Sequence, residues 1–203
     1  MGAIKLFEKY DFDNVEVMDI SLKPYINLNP VVVPTSYGRH GKKQFGKSDV
    51  NVVERLINKL MRGGTGEKLG GKLIRTQGKL QGKKSKATEA VKKAFAIVAK
   101  KTNENPIQLL VRAVENSAPR EDFTRVALGG VTYQVAVDVS PLRRVDMALR
   151  NIALAAIMGS FDKKKTLAQA LADELEFTAK GDQQASYAIK KRNEVERMAR
   201  AAR

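Results

Sequence analysis

Cysteine and tryptophan are absent, and histidine occurs once, at His40. Without cysteine there can be no disulfide and no thiolate metal site, a composition that suits a reducing compartment. A single histidine excludes a His-rich metal centre. Long apolar runs are missing as well. The longest, Ile152 to Met158, is far too short for a membrane span. Met1 to Tyr10 lacks the apolar block of a secretion signal. The expectation is a soluble, cytoplasmic chain with no metal, no cofactor, no membrane contact and no small-molecule substrate.

Negative charge is also scarce. The 203 residues carry 37 Lys+Arg against 22 Asp+Glu, a formal net charge of +15. Such an excess repels itself in a compact fold unless a polyanion neutralises it. Nucleic acid is the commonest polyanion, and release of its condensed counterions drives the binding. The excess is uneven. Residues 1–33 hold three lysines against five acids, so the rest of the chain carries a net +17. A mildly acidic N-terminal extension, residues 1–33, precedes a strongly basic body. Hydrophobic residues at 43% supply a core and argue against disorder.

Pro30 and Pro34 close the extension and break any helix there. Residues 34–47 follow, rich in glycine and in Arg39, Lys42, Lys43 and Lys47, and read as a mobile basic loop. Residues 48–203 read as a helical domain. Ser48 or Asp49 can cap its first helix, whose apolar stripe is Val53, Leu56, Ile57, Leu60 and Met61 and whose end is Gly63-Gly64. Arg62 to Lys86 reads as a basic linker with little core of its own. A second helix is expected from Ser85 to Lys101. The third opens at Asn105-Pro106, a cap followed by proline in the first turn, and Pro119 closes it. Residues 131–139 then alternate at period two, with Phe123 to Leu128 as partner strand and Gly129-Gly130 as the turn. Ser140-Pro141 opens a fourth helix, Thr166 to Lys180 is a fifth stopped by Gly181, and Asp182 can cap a sixth. The fold class is mainly α: a six-helix, bundle-like domain with one β-hairpin, at about 122–139, between the third and fourth helices, plus an extended N-terminal arm.

Gly41-Lys-Lys-Gln-Phe-Gly46-Lys47-Ser48 fits the P-loop pattern of nucleotide hydrolases letter for letter. That pattern acquires meaning only between a buried strand and a helix. Thr35 to His40 is no such strand, and the chain offers no parallel sheet. Lys42, Lys43 and Phe45 are also bulky for a tight phosphate cradle. The better reading is an arm that contacts phosphates, with Tyr37 and Phe45 available to stack on bases. Arg143-Arg144 sits in the first turn of the fourth helix, where cations oppose the helix dipole. Either a docked phosphate or ion pairs to Asp138 or Asp146 would account for them. Lys83, Lys84 and Lys86, Lys92-Lys93, Lys100-Lys101, Lys163 to Lys165, and Lys190-Lys191-Arg192 extend a basic face over several elements. No catalytic constellation is present: Glu174 and Glu176 point to different helix faces, and Glu174 reads as a surface residue. A basic helical domain also suits a helix-turn-helix DNA regulator, although no recognition helix is evident.

Several segments together resemble the universal small-subunit ribosomal protein S-seven family. They are Val131-Thr-Tyr-Gln-Val135, Val139-Ser-Pro-Leu-Arg-Arg144, Asn105-Pro-Ile-Gln-Leu-Leu110, Ser117-Ala-Pro-Arg-Glu-Asp122, Leu171-Ala-Asp-Glu-Leu175 and Tyr187-Ala-Ile-Lys-Lys-Arg192. Asp19-Ile-Ser-Leu-Lys-Pro-Tyr-Ile26 resembles the extension of the archaeal and eukaryotic branch. The resemblance implies a structural, non-enzymatic constituent of the small ribosomal subunit. It implies binding to the 3′ major domain of small-subunit ribosomal RNA (rRNA), nucleation of head assembly, and neighbours among the head and platform proteins. On that reading rRNA meets Arg39, Lys42, Lys43, Lys47, Lys83, Lys84, Lys86, Arg120, Arg143, Arg144, Lys163, Lys164, Lys190, Lys191 and Arg192. The hairpin residues Arg125, Leu128, Gly129, Gly130, Val131 and Tyr133 approach the exit-site transfer RNA (tRNA) and messenger RNA (mRNA). The tip carries no cation, so it would act by shape and backbone.

Overall fold

The computed structural model describes residues 4–63, 66, 68, 69, 72–74, 76 and 78–203. Among them are six α-helices: α1 (Val52–Leu60), α2 (Lys84–Thr102), α3 (Pro106–Ser117), α4 (Pro141–Ser160), α5 (Leu167–Lys180) and α6 (Tyr187–Ala201). A short ribbon of β1 (Lys68–Leu69) and β2 (Lys72–Leu73) lies in the linker, and β3 (Glu121–Leu128) pairs with β4 (Val131–Asp138) between α3 and α4.

Local chemistry explains most helix ends. The Asn105 side chain accepts from Ile107 N, with Pro106 in the first turn of α3. Thr166 and Gln169 form a reciprocal capping box on α5, and Gly181, at φ 78°, closes that helix left-handed. Two caps differ from expectation. Ser48 and Asp49 lie in a 3₁₀ turn, Gly46–Asp49, so Asn51 caps α1 instead, and the helix ends at Leu60 before the glycines. Ser186 caps α6. Asp182 instead accepts from the N–H groups of Gln184 and Ala185 and shapes the turn before that helix.

Helix α5 packs against α2, α3 and α4, and α1 lies along α4. The core includes Leu56 and Ile57 from the expected stripe of α1, with Val91, Phe95, Leu110, Leu149, Ile152 and Leu171 from α2 to α5. The N-terminal arm belongs to the same core. Leu6, Phe7, Phe12, Leu22 and Ile26 are buried in it, and the rings of Phe7 and Tyr10 meet Phe95 edge-on at 6.5 and 6.2 Å. The α3 side chains fix the arm's path. Gln108 exchanges hydrogen bonds with the Glu16 backbone, and Glu115 accepts from the N–H groups of Met18 and Asp19.

Two segments carry more structure than the sequence reading gave them, and one residue corrects it. Thr35 to Lys47 contains a 3₁₀ turn, Arg39–Lys42, leading to the second, and is tied to α1 where Glu54 accepts from Ser36 N and Oγ at 2.9 and 2.8 Å. The linker does bury a small core: Ile74 and Leu80 cluster with Ile157. Glu174 is buried, 7% exposed, rather than on the surface. It accepts from Ser186 Oγ, Ala188 N and Thr178 Oγ1, so it seats the first turn of α6 on α5. A carboxylate aimed at helix N–H groups is favoured by the dipole and offsets its own burial.

The hairpin follows the expected register, Leu128 opposite Val131 through Glu121 opposite Asp138. Gly129 and Gly130 both have positive φ, 56° and 82°, as a two-residue turn matching strand twist requires. One face presents Val126, Tyr133, Val135 and Val137, all exposed; Arg125 lies on the other, because paired residues share a side and neighbours alternate. A two-stranded ribbon is marginal alone. Its base is held by α6, where Glu196 accepts from Arg120 N, and by Arg203 just past that helix, which pairs with Glu121.

Candidate nucleic-acid interface

Helix α1 buries one stripe and turns Arg55, Lys59 and the following Arg62 to another side, at spacings of four and three. Helix α4 brings Asp146 and Arg150, four apart, alongside. The adjoining 3₁₀ turn adds Lys47. The Asp146 carboxylate receives Arg55 Nη2 at 3.2 Å, Lys59 Nζ at 3.2 Å and Lys47 Nζ at 3.4 Å. These groups line a cleft of about 80 Å³ with His40, Asn58 and Arg62. Lys59 and Arg62 also line a second cleft of about 180 Å³, which runs on past Arg150 to Leu154. The two form one basic groove along the α1–α4 seam.

Charge in the groove is tightly constrained. Burial raises the Asp146 carboxyl, but Lys59, Arg55 and Lys47 outweigh it and hold the group below its ordinary value. Burial pushes Lys59 down, Arg62 and Lys47 push it the same way, and Asp146 opposes them. Burial likewise lowers Arg55, whose Nε is buried without a hydrogen-bond partner. The groove therefore concentrates cations around a single anion.

Asp19, Glu54 and Asp173 behave as Asp146 does. Burial raises each, and hydrogen bonds and nearby cations (Arg144 and Ser21, Lys84 and Ser36, Lys101 and Lys165 respectively) bring the net below the ordinary carboxyl value. Depressed folded-state values mean that the stability these groups contribute is complete above the unfolded carboxyl range and lost as pH falls through the folded values. The thermal midpoint should be flat from about pH 8 to 5 and drop below about pH 4. A pH series of thermal scans checks this; a midpoint that holds to pH 2 would contradict it.

The expected contact residues divide into two groups. Arg39, Lys42, Lys83, Lys86, Lys163, Lys164 and Lys190 are exposed. Arg120 is exposed beside a mixed-charge cleft of about 460 Å³ that Arg192 and Arg200 also line. Arg143 is exposed and 3.5 Å from Asp122, and Lys43 stands 3.4 Å from Asp49. Others are engaged within the fold. Lys84 pairs with Glu54 at 2.7 Å, and Lys191 pairs with Glu194 at 2.9 Å. Arg192 donates to Asn116 O at 2.5 Å. Arg144 is the most fully engaged. It is buried, and it donates through Nη2 to Asp19 at 3.0 Å, through Nη1 to Ser21 Oγ at 2.5 Å and through Nε to Pro119 O at 3.2 Å. Neither Asp138 nor Asp146 is its partner.

The structure adds Lys59, Arg62 and Arg150, which charge runs do not single out. The signal in the sequence is their helical spacing, 55/59/62 and 146/150, which becomes a groove only when α1 and α4 meet.

The P-loop-like segment has a different construction. A 3₁₀ turn, Arg39–Lys42, runs into it where a strand would be needed. Lys47 faces Asp146, and Ser48 Oγ donates to Phe45 O at 2.8 Å. Gly46 is required by packing: a Cβ there would stand 2.5 Å from His40 O. A looser match to the same pattern, Gly66 to Lys72 with Leu73 where the hydroxyl residue should stand, includes Glu67, Gly70 and Gly71, which lie outside the described residues. Among the described residues no group of three His, Cys, Asp or Glu side chains could hold a metal ion, and no helix is long and apolar enough to cross a membrane.

Comparison with known proteins converges on one family. The family described as ribosomal protein S7p/S5e matches residues 22–203. The chain is 48% identical over 200 residues to small ribosomal subunit protein uS7 of Methanococcus maripaludis strain S2, an alignment covering 98% of this chain and 99% of that protein. The protein of the same name from strain C6 is 47% identical over the same shares of both chains.

Proposed function

This chain belongs to the ribosomal protein S7p/S5e family, archaeal in type, and from that premise we propose that it is a structural constituent of the small ribosomal subunit that binds rRNA along the α1–α4 groove. The observation that carries this reading is the clustering of Lys47, Lys59, Arg62 and Arg150 along the seam between α1 and α4. Arg39, Lys42 and Lys43 on the neighbouring 3₁₀ turns, and Arg143 at the start of α4, extend the cationic surface. Phosphate contacts there set position, and the shape of the folded RNA selects the site. Lys83 and Lys86 at the start of α2, and Lys163 and Lys164 between α4 and α5, supply outlying contacts.

The target in this reading is the 3′ major domain, whose early binding nucleates assembly of the subunit head on cytoplasmic ribosomes. The hairpin points toward the exit-site tRNA and the mRNA path. Gly129 and Gly130 make its tip slim, and the apolar face bearing Tyr133 suits contact with neighbouring head or platform proteins better than with phosphates.

Binding of a 3′-major-domain transcript tests the proposal. A plot of log affinity against log salt should be linear and steeper than about −3, since each neutralised phosphate adds about −0.7 to −0.9. Affinity that ignores ionic strength would defeat it.

A further inference from the structure

We infer that Asp146 is a positioning residue for RNA, a carboxylate that gathers cations from two separate segments into the geometry in which they meet the phosphate backbone. The inference rests on the RNA reading above and deepens it. Lys47 comes from a 3₁₀ turn, Arg55 and Lys59 from α1, and all three converge within 3.4 Å of this one side chain from α4. Like charges so close repel, and the Lys47 side chain, 54% exposed, has open solvent available to it. Asp146 is what keeps it in the groove. The carboxylate cancels only one of three charges, so the cluster it assembles remains cationic and can take up a phosphate.

The consequence runs against simple charge counting. Removing an acid from a polyanion-binding protein should tighten binding; removing this one should weaken it. Asp146→Asn is expected to bind a 3′-major-domain transcript about tenfold more weakly than wild type, with a salt slope shallower by about one. Asp49→Asn makes the same change of charge at an exposed acid, 66% open, on the same basic segment, and it should bind as tightly as wild type or tighter. Asp146→Glu should restore the wild-type slope, because the counter-charge is kept.

Asparagine leaves Arg55 buried without its anion, and that variant can fail to fold. Arg55→Met with Asp146→Asn removes both charges together and leaves the net charge at the wild-type +15. The same tenfold loss is expected of this folded double variant. Wild-type or tighter affinity in Asp146→Asn, or wild-type affinity in the double variant, overturns the inference. Wild-type binding that does not respond to salt is a different result and defeats the RNA reading itself.

Discussion

Glutamate at Lys47, Arg62 and Arg150 together should weaken binding of a 3′-major-domain transcript at least about a hundredfold. Each of the three side chains is exposed on the groove. Arg55, buried, and Lys59, largely covered, stay in place, so the α1–α4 seam should keep its packing. A hydrogen bond to a charged group contributes about 1.5–3 kcal/mol. Three such contacts exceed the about 2.8 kcal/mol that a hundredfold requires, even with allowance for non-additivity. Reversal adds repulsion, which grows at low salt because the screening length lengthens. The net charge falls as well, and that alone weakens binding anywhere on the surface. The control is therefore glutamate at Lys93, Lys100 and Arg112, exposed cations of α2 and α3 that lie outside the groove. It changes the net charge equally and should cost less than about tenfold. Filter binding of both variants, with circular dichroism to confirm folding, decides the matter. Equal losses would mean that charge acts without a site.

The parts of this fold that were legible in the sequence are those fixed by near neighbours. Asn105-Pro106, Thr166 with Gln169, and Gly181 mark helix ends through hydrogen bonds within four residues. Gly129-Gly130 and the alternation on each side fix the hairpin because its register follows from its turn. Charge is a different matter. A row of lysines and arginines states how many cations there are, not which ones the fold engages. Arg144 and Arg143 are adjacent and chemically alike. One reaches solvent; the other is held by residues more than 120 positions away. Glu174 looked like one face of a polar surface because its three donors arrive from two later turns of chain. Gly46 fits a phosphate-binding pattern but is a glycine on account of His40 O, a contact no pattern of letters records. The groove was missed for the same reason: Lys59, Arg62 and Arg150 form no run, and only tertiary packing joins them.

The Arg144 clamp leads to an ordering that sequence reasoning would invert. The family match begins at Leu22, just past the Asp19 and Ser21 that hold Arg144. A cation that the family resemblance would assign to rRNA is thus engaged by the acidic arm. The pair is unequal. The Arg144 side chain is 8% exposed and that of Asp19 24%. Losing Asp19 leaves a guanidinium with no counter-charge in a place water reaches poorly. Losing Arg144 returns the carboxylate to water. Removing one partner of a fully buried pair costs about 3–5 kcal/mol; the partial exposure of Asp19 reduces this to about 2–3 kcal/mol for Asp19→Ala. Arg144→Met keeps the apolar stem and mainly unpairs Pro119 O, at about 1–2 kcal/mol. Combining the two should cost less than the sum, since the methionine removes the stranded charge that makes Asp19→Ala expensive. Urea unfolding of the three variants measures the cycle. Arg144→Met should also bind the RNA transcript within about threefold of wild type, because its donors face the arm. If Arg144→Met proves the more destabilising change, or if it costs RNA affinity tenfold while the protein stays folded, Arg144 faces the nucleic acid after all and the arm merely rests beside it.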